Sequence, residues 1–151
     1  MKTVDKLKEE IKVLQAQIEK IEDAPLQYGK LYFYLYSEGH AEDEIWANSK
    51  RDVDRLEMGN AFQTRQGALD EMRRIKIRVK LKAMANHWKP DWNDFLQPKY
   101  HVYYSYERKQ FGAIRSFCSQ RINETYFSSE QLALAAIDTM DDDLKFLIGV
   151  E

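Results

Sequence analysis

This chain has one cysteine, Cys118, among its 151 residues, so an intrachain disulfide is excluded and nothing points to an oxidising compartment. No run approaches the roughly 20 apolar residues of a membrane span, and the opening residues are charged and amphipathic, without an apolar signal-peptide core. There is no phosphate loop and no Gly-x-Gly-x-x-Gly, and His40, His87 and His101 do not stand at metal-ligand spacing. The charge excess is small too. A formal −2 argues against a wholesale polyanion binder, so any electrostatic partner must be met by a local patch. With 44% apolar and 32% charged residues interspersed, the chain is expected to be globular and cytoplasmic, with enough length for one ordinary core or two small ones.

What is present is a pattern that occurs twice. Leu31-Tyr32-Phe33-Tyr34-Leu35-Tyr36 leads through Phe62-Gln63-Thr64 into a run with Ala68, Leu69 and Met72. Tyr100-His101-Val102-Tyr103-Tyr104 leads through Phe127-Ser128-Ser129 into a run with Ala133, Ala136, Ile137 and Met140. Tyr32 and Tyr100 are 68 residues apart, Phe62 and Phe127 65 apart, which points to a duplicated unit with a three-residue length difference.

Before the first copy, Val4, Leu7, Ile11, Leu14, Ile18 and Ile21 step by three and four through polar residues, as in a coiled coil. β-Branched Val4, Ile11 and Ile18 fall at a and Leu7, Leu14 and Ile21 at d, the assignment that favours two parallel strands. Three heptads, about 31 Å long, make a marginal zipper alone. Self-association is the expectation; folding of the seam onto the same chain is the alternative.

Pro25 and Gly29 should break that helix. In the first unit, alternation puts Tyr32, Tyr34 and Tyr36 on one strand face and Leu31, Phe33 and Leu35 on the other, Ser37-Glu38-Gly39-His40 turns the chain, and Glu44 to Ala47 returns. Residues 59–62 read as a turn and short strand, and Thr64 caps a helix from about Arg65 to Asn86, buried along Ala68, Met72, Ile75, Val79 and Ala83. In the second, Tyr100–Tyr106 and Phe111–Phe117 form the hairpin and Asn123–Phe127 a third strand. Ser129 caps a helix that is interrupted at Asp141-Asp142-Asp143, and a last short helix stops at Gly149. The expected fold is α+β: a coiled-coil helix (1–23) followed by two tandem β-β-β-α units (30–88 and 99–151) with antiparallel sheets.

The order Tyr32-x-Tyr34, Trp46, Gly59-Asn60-x-Phe62-x-Thr64, Ala68, and then Tyr126-Phe127-Ser128-Ser129-x-x-x-Ala133 is similar to a group of small bacteriophage and prophage accessory proteins, over residues from about 29 to the end. The resemblance implies a mobile-element protein in a bacterial host cytoplasm. Accessory proteins of this kind include binders that block host defence enzymes, CRISPR nucleases among them, which makes an anti-CRISPR-like inhibitor the implied role.

Two features point to a partner surface. Between Arg65 and Pro90 eight Lys or Arg stand against Asp70 and Glu71, a local +6 that leaves −8 elsewhere. Arg73, Arg74, Lys76, Arg78, Lys80 and Lys82 form a basic ridge that suits a nucleic-acid backbone or an acidic protein. It is otherwise a solvated face neutralised by acids such as Glu42, Asp43 and Glu44. Nine tyrosines and three tryptophans exceed what a small core hides easily, and Trp88, Trp92, Tyr104 and Tyr106 are the expected exposed contacts.

Catalytic readings fail. Asp91 with Glu107 and Lys109 spells a metal-dependent nuclease pattern, but Glu107 and Lys109 belong to the expected hairpin tip and Asp91 to a loop. Cys118 has no base nearby in sequence. The expectation is a non-enzymatic protein-binding module without cofactor or metal. The alternative is a nucleic-acid-binding accessory protein.

Overall fold

The computed structural model describes residues 4–22 and 26–150. The break expected at Pro25 lies outside the described residues, as do the side chains of the seam positions Ile18 and Ile21. The fold is α+β, with four helices and two small antiparallel two-stranded sheets among the described residues. Contacts divide the chain into two compact units, Met1–Met72 and Arg73–Glu151.

In the first unit, helix α1 (Val4–Glu22) precedes strands β1 (Leu31–Leu35) and β2 (Ala41–Ile45). They pair in the register Leu31↔Ile45, Phe33↔Asp43 and Leu35↔Ala41, so the returning strand starts three residues before the expected Glu44. The alternation resolves as the pleat requires: Tyr32 and Tyr34 point inward with Trp46 to form the core, and Leu31 points to solvent. Phe33 and Phe62 exchange two backbone hydrogen bonds of 2.8 Å. The short strand expected there is therefore a single isolated bridge.

The polar stretch after β2 contains a helix that the hydrophobic pattern does not announce, α2 (Lys50–Glu57). Ser49 and Asp52 form a capping box, each side chain accepting the other's backbone N–H. Asp52 is almost fully buried and also accepts from the Tyr32 hydroxyl (2.9 Å) and the Ala47 N–H (3.0 Å). One turn later, Arg55 donates to Tyr32 Oη and to Glu44, with its guanidinium 3.4 Å above the Tyr34 ring centroid. Hydrogen bonds fasten α2 to the tyrosine core where an apolar stripe would ordinarily do so.

Helix α3 (Arg65–Met84) begins at Thr64, whose hydroxyl accepts the Gly67 N–H at 3.0 Å. Ala68 is fully buried in the first unit. Beyond Met72 the buried stripe is Ile77, Leu81 and Ala85, which belong to the core of the second unit. This corrects the expected stripe: Ile75 is 45% and Val79 59% exposed, and Ala83 is exposed as well. Two apolar stripes run along this helix, and tertiary packing against Phe127, Ala133 and Ala136 selects the one that is buried.

The second hairpin, β3 (Lys99–Ser105) and β4 (Gln110–Ser116), starts one residue before the expected positions on both strands. Helix α4 (Glu130–Ile148) packs on both strands with Ala133, Ala136, Met140 and Leu144 buried. The Ser129 side chain caps it through Leu132 N–H, and Gly149 ends it with φ 71°, a left-handed cap. The expected interruption before a last short helix is present one residue earlier than Asp141: Met140 leaves helical backbone (φ −124°, ψ 18°) and kinks the chain between two helical stretches. Tyr100 and Phe127 form an isolated bridge, so the expected strand Asn123–Phe127 is also reduced to one residue.

Candidate functional site

Within the second unit, the C-terminus of α3 turns sharply. Asn86 and His87 both take left-handed backbone (φ 55° and 52°), and the N–H groups of His87 and Trp88 reach back to Lys82 O and Ala85 O. Asn and His tolerate this region better than other side chains. The turn leads into Trp88, Lys89 and Pro90, which line a cavity of about 450 Å³.

Trp92 and the segment Glu124–Tyr126 line the same cavity. The Trp92 and Tyr126 rings meet edge to face, centroids 4.9 Å apart, and the buried Tyr126 accepts the Arg121 N–H at 2.7 Å. Behind Trp92 lies the fully buried Lys99, its ammonium 5.3 Å from the indole centroid and hydrogen bonded to the carbonyls of Asp94 and Gln97. Satisfying a buried ammonium with carbonyls fixes the 94–97 loop against β3. His101, also buried, packs on Tyr126 and contacts Ser116 Oγ through Nδ1 at 3.1 Å. Its Nε2 has no hydrogen-bond partner among the described residues. Burial, reinforced by the Arg121 charge, pushes the His101 pKa down. Burial also pushes the Glu124 carboxyl up, against the opposing pull of Arg121 and a backbone N–H.

Lys82, Trp88 and Trp92, expected as parts of two separate surfaces, thus meet at one cavity. Tyr104 and Tyr106 lie elsewhere, stacked edge to face at 5.1 Å near the second hairpin's turn, with Tyr106 72% exposed. The basic ridge divides. Arg73 and Lys80 both approach Asp143 (3.5 and 3.4 Å), and Arg73 and Arg74 lie over the Phe146 ring. Arg78 is also engaged. Lys76 and Lys82 have no carboxylate partner among the described residues. The acids of β2 pair within their own unit, Asp43 with Arg65 and Glu44 with Arg55 and Arg51.

Glu124 and Tyr126 are not among the contact residues expected from the sequence; the Tyr100–Phe127 bridge and the rings of Trp92 and His101 hold Tyr126 in place. Asp91 accepts the Asn93 N–H at 2.9 Å in a local turn, and Cys118 is exposed. Among the described residues no group of three His, Cys, Asp or Glu could hold a metal ion, and no helix is long and apolar enough to cross a membrane. On α1, Val4, Leu7, Ile11 and Leu14 are 66, 45, 54 and 56% exposed. Comparison with protein-family models, curated proteins and solved structures finds no match.

Proposed function

We propose that this chain is a non-enzymatic protein-binding module that works as a homodimer joined through α1. The observation that carries it is the exposed seam. Val4, Leu7, Ile11 and Leu14 recur at heptad spacing and stay open to solvent; an apolar stripe of that kind is normally covered. A second copy supplies an identical stripe, and β-branched residues at a with leucine at d suit a parallel pair. The double variant Leu7→Asp, Ile11→Asp should sediment as a monomer with unchanged helical content in units 1 and 2; a wild-type chain that is monomeric at tens of micromolar would refute the dimer.

The two units are best explained as copies of one design. Each hairpin's first strand bridges to a phenylalanine, Phe33 to Phe62 and Tyr100 to Phe127, and two residues later a hydroxyl side chain caps a helix. The bridges align Tyr32 with Lys99 and Tyr34 with His101, one residue away from the alignment of tyrosines, and the aligned pairs are all buried. The resemblance to phage accessory proteins rests on the sequence motifs alone, and from it we propose a bacterial defence complex, such as a CRISPR nuclease, as the target. Recovery of a defence protein on the immobilised chain, with loss of that system's activity in its presence, would support this; unimpaired defence would count against it.

A nucleic-acid role is the second reading, favoured by Lys76 and Lys82, the ridge cations left without an acid. A gel shift at low salt that weakens as salt rises would support it. Binding that survives charge reversal at these two lysines would remove it.

A further inference from the structure

The cavity beside Trp88 has a composition that self-association does not use. Lys82 and Lys89 border it, and neither has a carboxylate partner among the described residues. The Trp88 indole is half-buried, with no ring partner and no side-chain hydrogen bond among the described residues. The same cavity is lined by the edge-to-face pair Trp92 and Tyr126 and by the half-buried Glu124. The volume, about 450 Å³, lies in the lower part of the range of small-molecule sites. A ligand meeting all of these groups must be flat and aromatic, must carry negative charge at one end, and must offer N–H donors on its edge.

We propose that this cavity binds a nucleotide unit, with the base stacked on Trp88, its donor edge at Glu124 and its phosphate between Lys82 and Lys89. Stacking of a base on an aromatic side chain is tolerant of base identity and contributes substantially per base. The two lysines of the lining, Lys82 and Lys89, supply the charge that a phosphate needs. A carboxylate at the base edge accepts from N–H groups, and guanine, with N1–H and N2–H₂ adjacent, matches two carboxylate oxygens best. The left-handed turn at Asn86 and His87 sets two of these groups in place, and such backbone is concentrated where ligands are held. This goes beyond a protein-docking role and is independent of α1.

The nucleotide has two sources, a free mononucleotide or one residue of a single strand, and one experiment separates them. The full-length chain is titrated with GMP, AMP, CMP and UMP, with guanosine, and with a ten-residue oligonucleotide, following tryptophan emission; Trp46 is buried in the other core and serves as a constant background. Saturable quenching is expected, GMP tightest and guanosine at least tenfold weaker. The surface pair Lys82→Ala, Lys89→Ala should weaken GMP at least tenfold while leaving circular dichroism unchanged, Trp88→Ala should do the same, and Glu124→Gln should erase the preference for GMP. GMP binding within threefold of the oligonucleotide identifies a free nucleotide as the ligand. An oligonucleotide at least tenfold tighter, with steep salt dependence, identifies a strand. The proposal is overturned if neither quenches saturably, if the lysine pair is indifferent, or if an acidic peptide displaces GMP at equal concentration. Retention of GMP binding by Leu7→Asp, Ile11→Asp would separate this site from the dimer.

Discussion

Tyr103 lies directly over Gly112, its partner across the second hairpin, so that a Cβ on Gly112 would stand 2.8 Å from the phenol ring. A missing side chain in a strand interior is ordinarily a weakness, and here the tyrosine fills the gap. Gly112→Ala should destabilise by about 1 kcal/mol as the ring is pushed outward. In a Tyr103→Ala background the same substitution should cost less than half as much. Urea midpoints of the four chains, forming a double-mutant cycle, check this; additive costs would show that the two residues do not interact.

Asp52 should set the acid sensitivity of the first unit. Burial pushes its carboxyl upward, but the N–H groups of Ala47 and Ser49 and the Tyr32 hydroxyl more than offset that and hold it at about 2. A carboxyl depressed in the folded state stabilises above its unfolded pKa, near 3.8, and loses that contribution as pH falls toward 2. The loss is roughly 2 kcal/mol. Asp52→Asn should therefore be less stable than wild type at pH 7 by about 1–3 kcal/mol, and the gap should narrow at pH 2.5. Denaturation of both chains at the two pH values decides the matter.

The two stripes of α3 should respond very differently to truncation. Ile77, 3% exposed, packs in the second core, and Ile77→Ala should cost about 2–4 kcal/mol. Ile75 and Val79 face solvent, so Ile75→Ala and Val79→Ala should each stay within about 0.5 kcal/mol. Thermal melts at equal concentration distinguish the buried stripe from the expected one, whose burial would reverse the order.

Local chemistry was legible in the sequence and tertiary selection was not. Thr64, Ser129 and Gly149 act where they were expected to because a cap is determined by a few neighbouring residues. Both hairpins were legible, the first with its returning strand starting three residues early and the second displaced by one residue per strand. Helix α2 stayed hidden because its apolar residues, Val53 and Leu56, are 39 and 44% exposed and its attachment is polar, through Asp52 and Arg55 to Tyr32. The buried face of α3 was misjudged because Ile75-Val79-Ala83 and Ile77-Leu81-Ala85 are equally regular, and the choice between them depends on Phe127 and α4, far along the chain. The cavity is hidden for the same reason: Trp88 and Lys89 are noticeable locally, but Glu124 and Tyr126 join them through contacts distant in sequence, among them the Tyr100–Phe127 bridge and the Trp92–Tyr126 ring pair.

Association through α1 is the claim on which the proposed function rests, and sedimentation equilibrium of the intact chain against Leu7→Asp, Ile11→Asp measures it most directly. A wild-type mass of twice the chain, falling to a single chain in the variant without loss of folded signal, is the predicted result. Equal single-chain masses for both would contradict it.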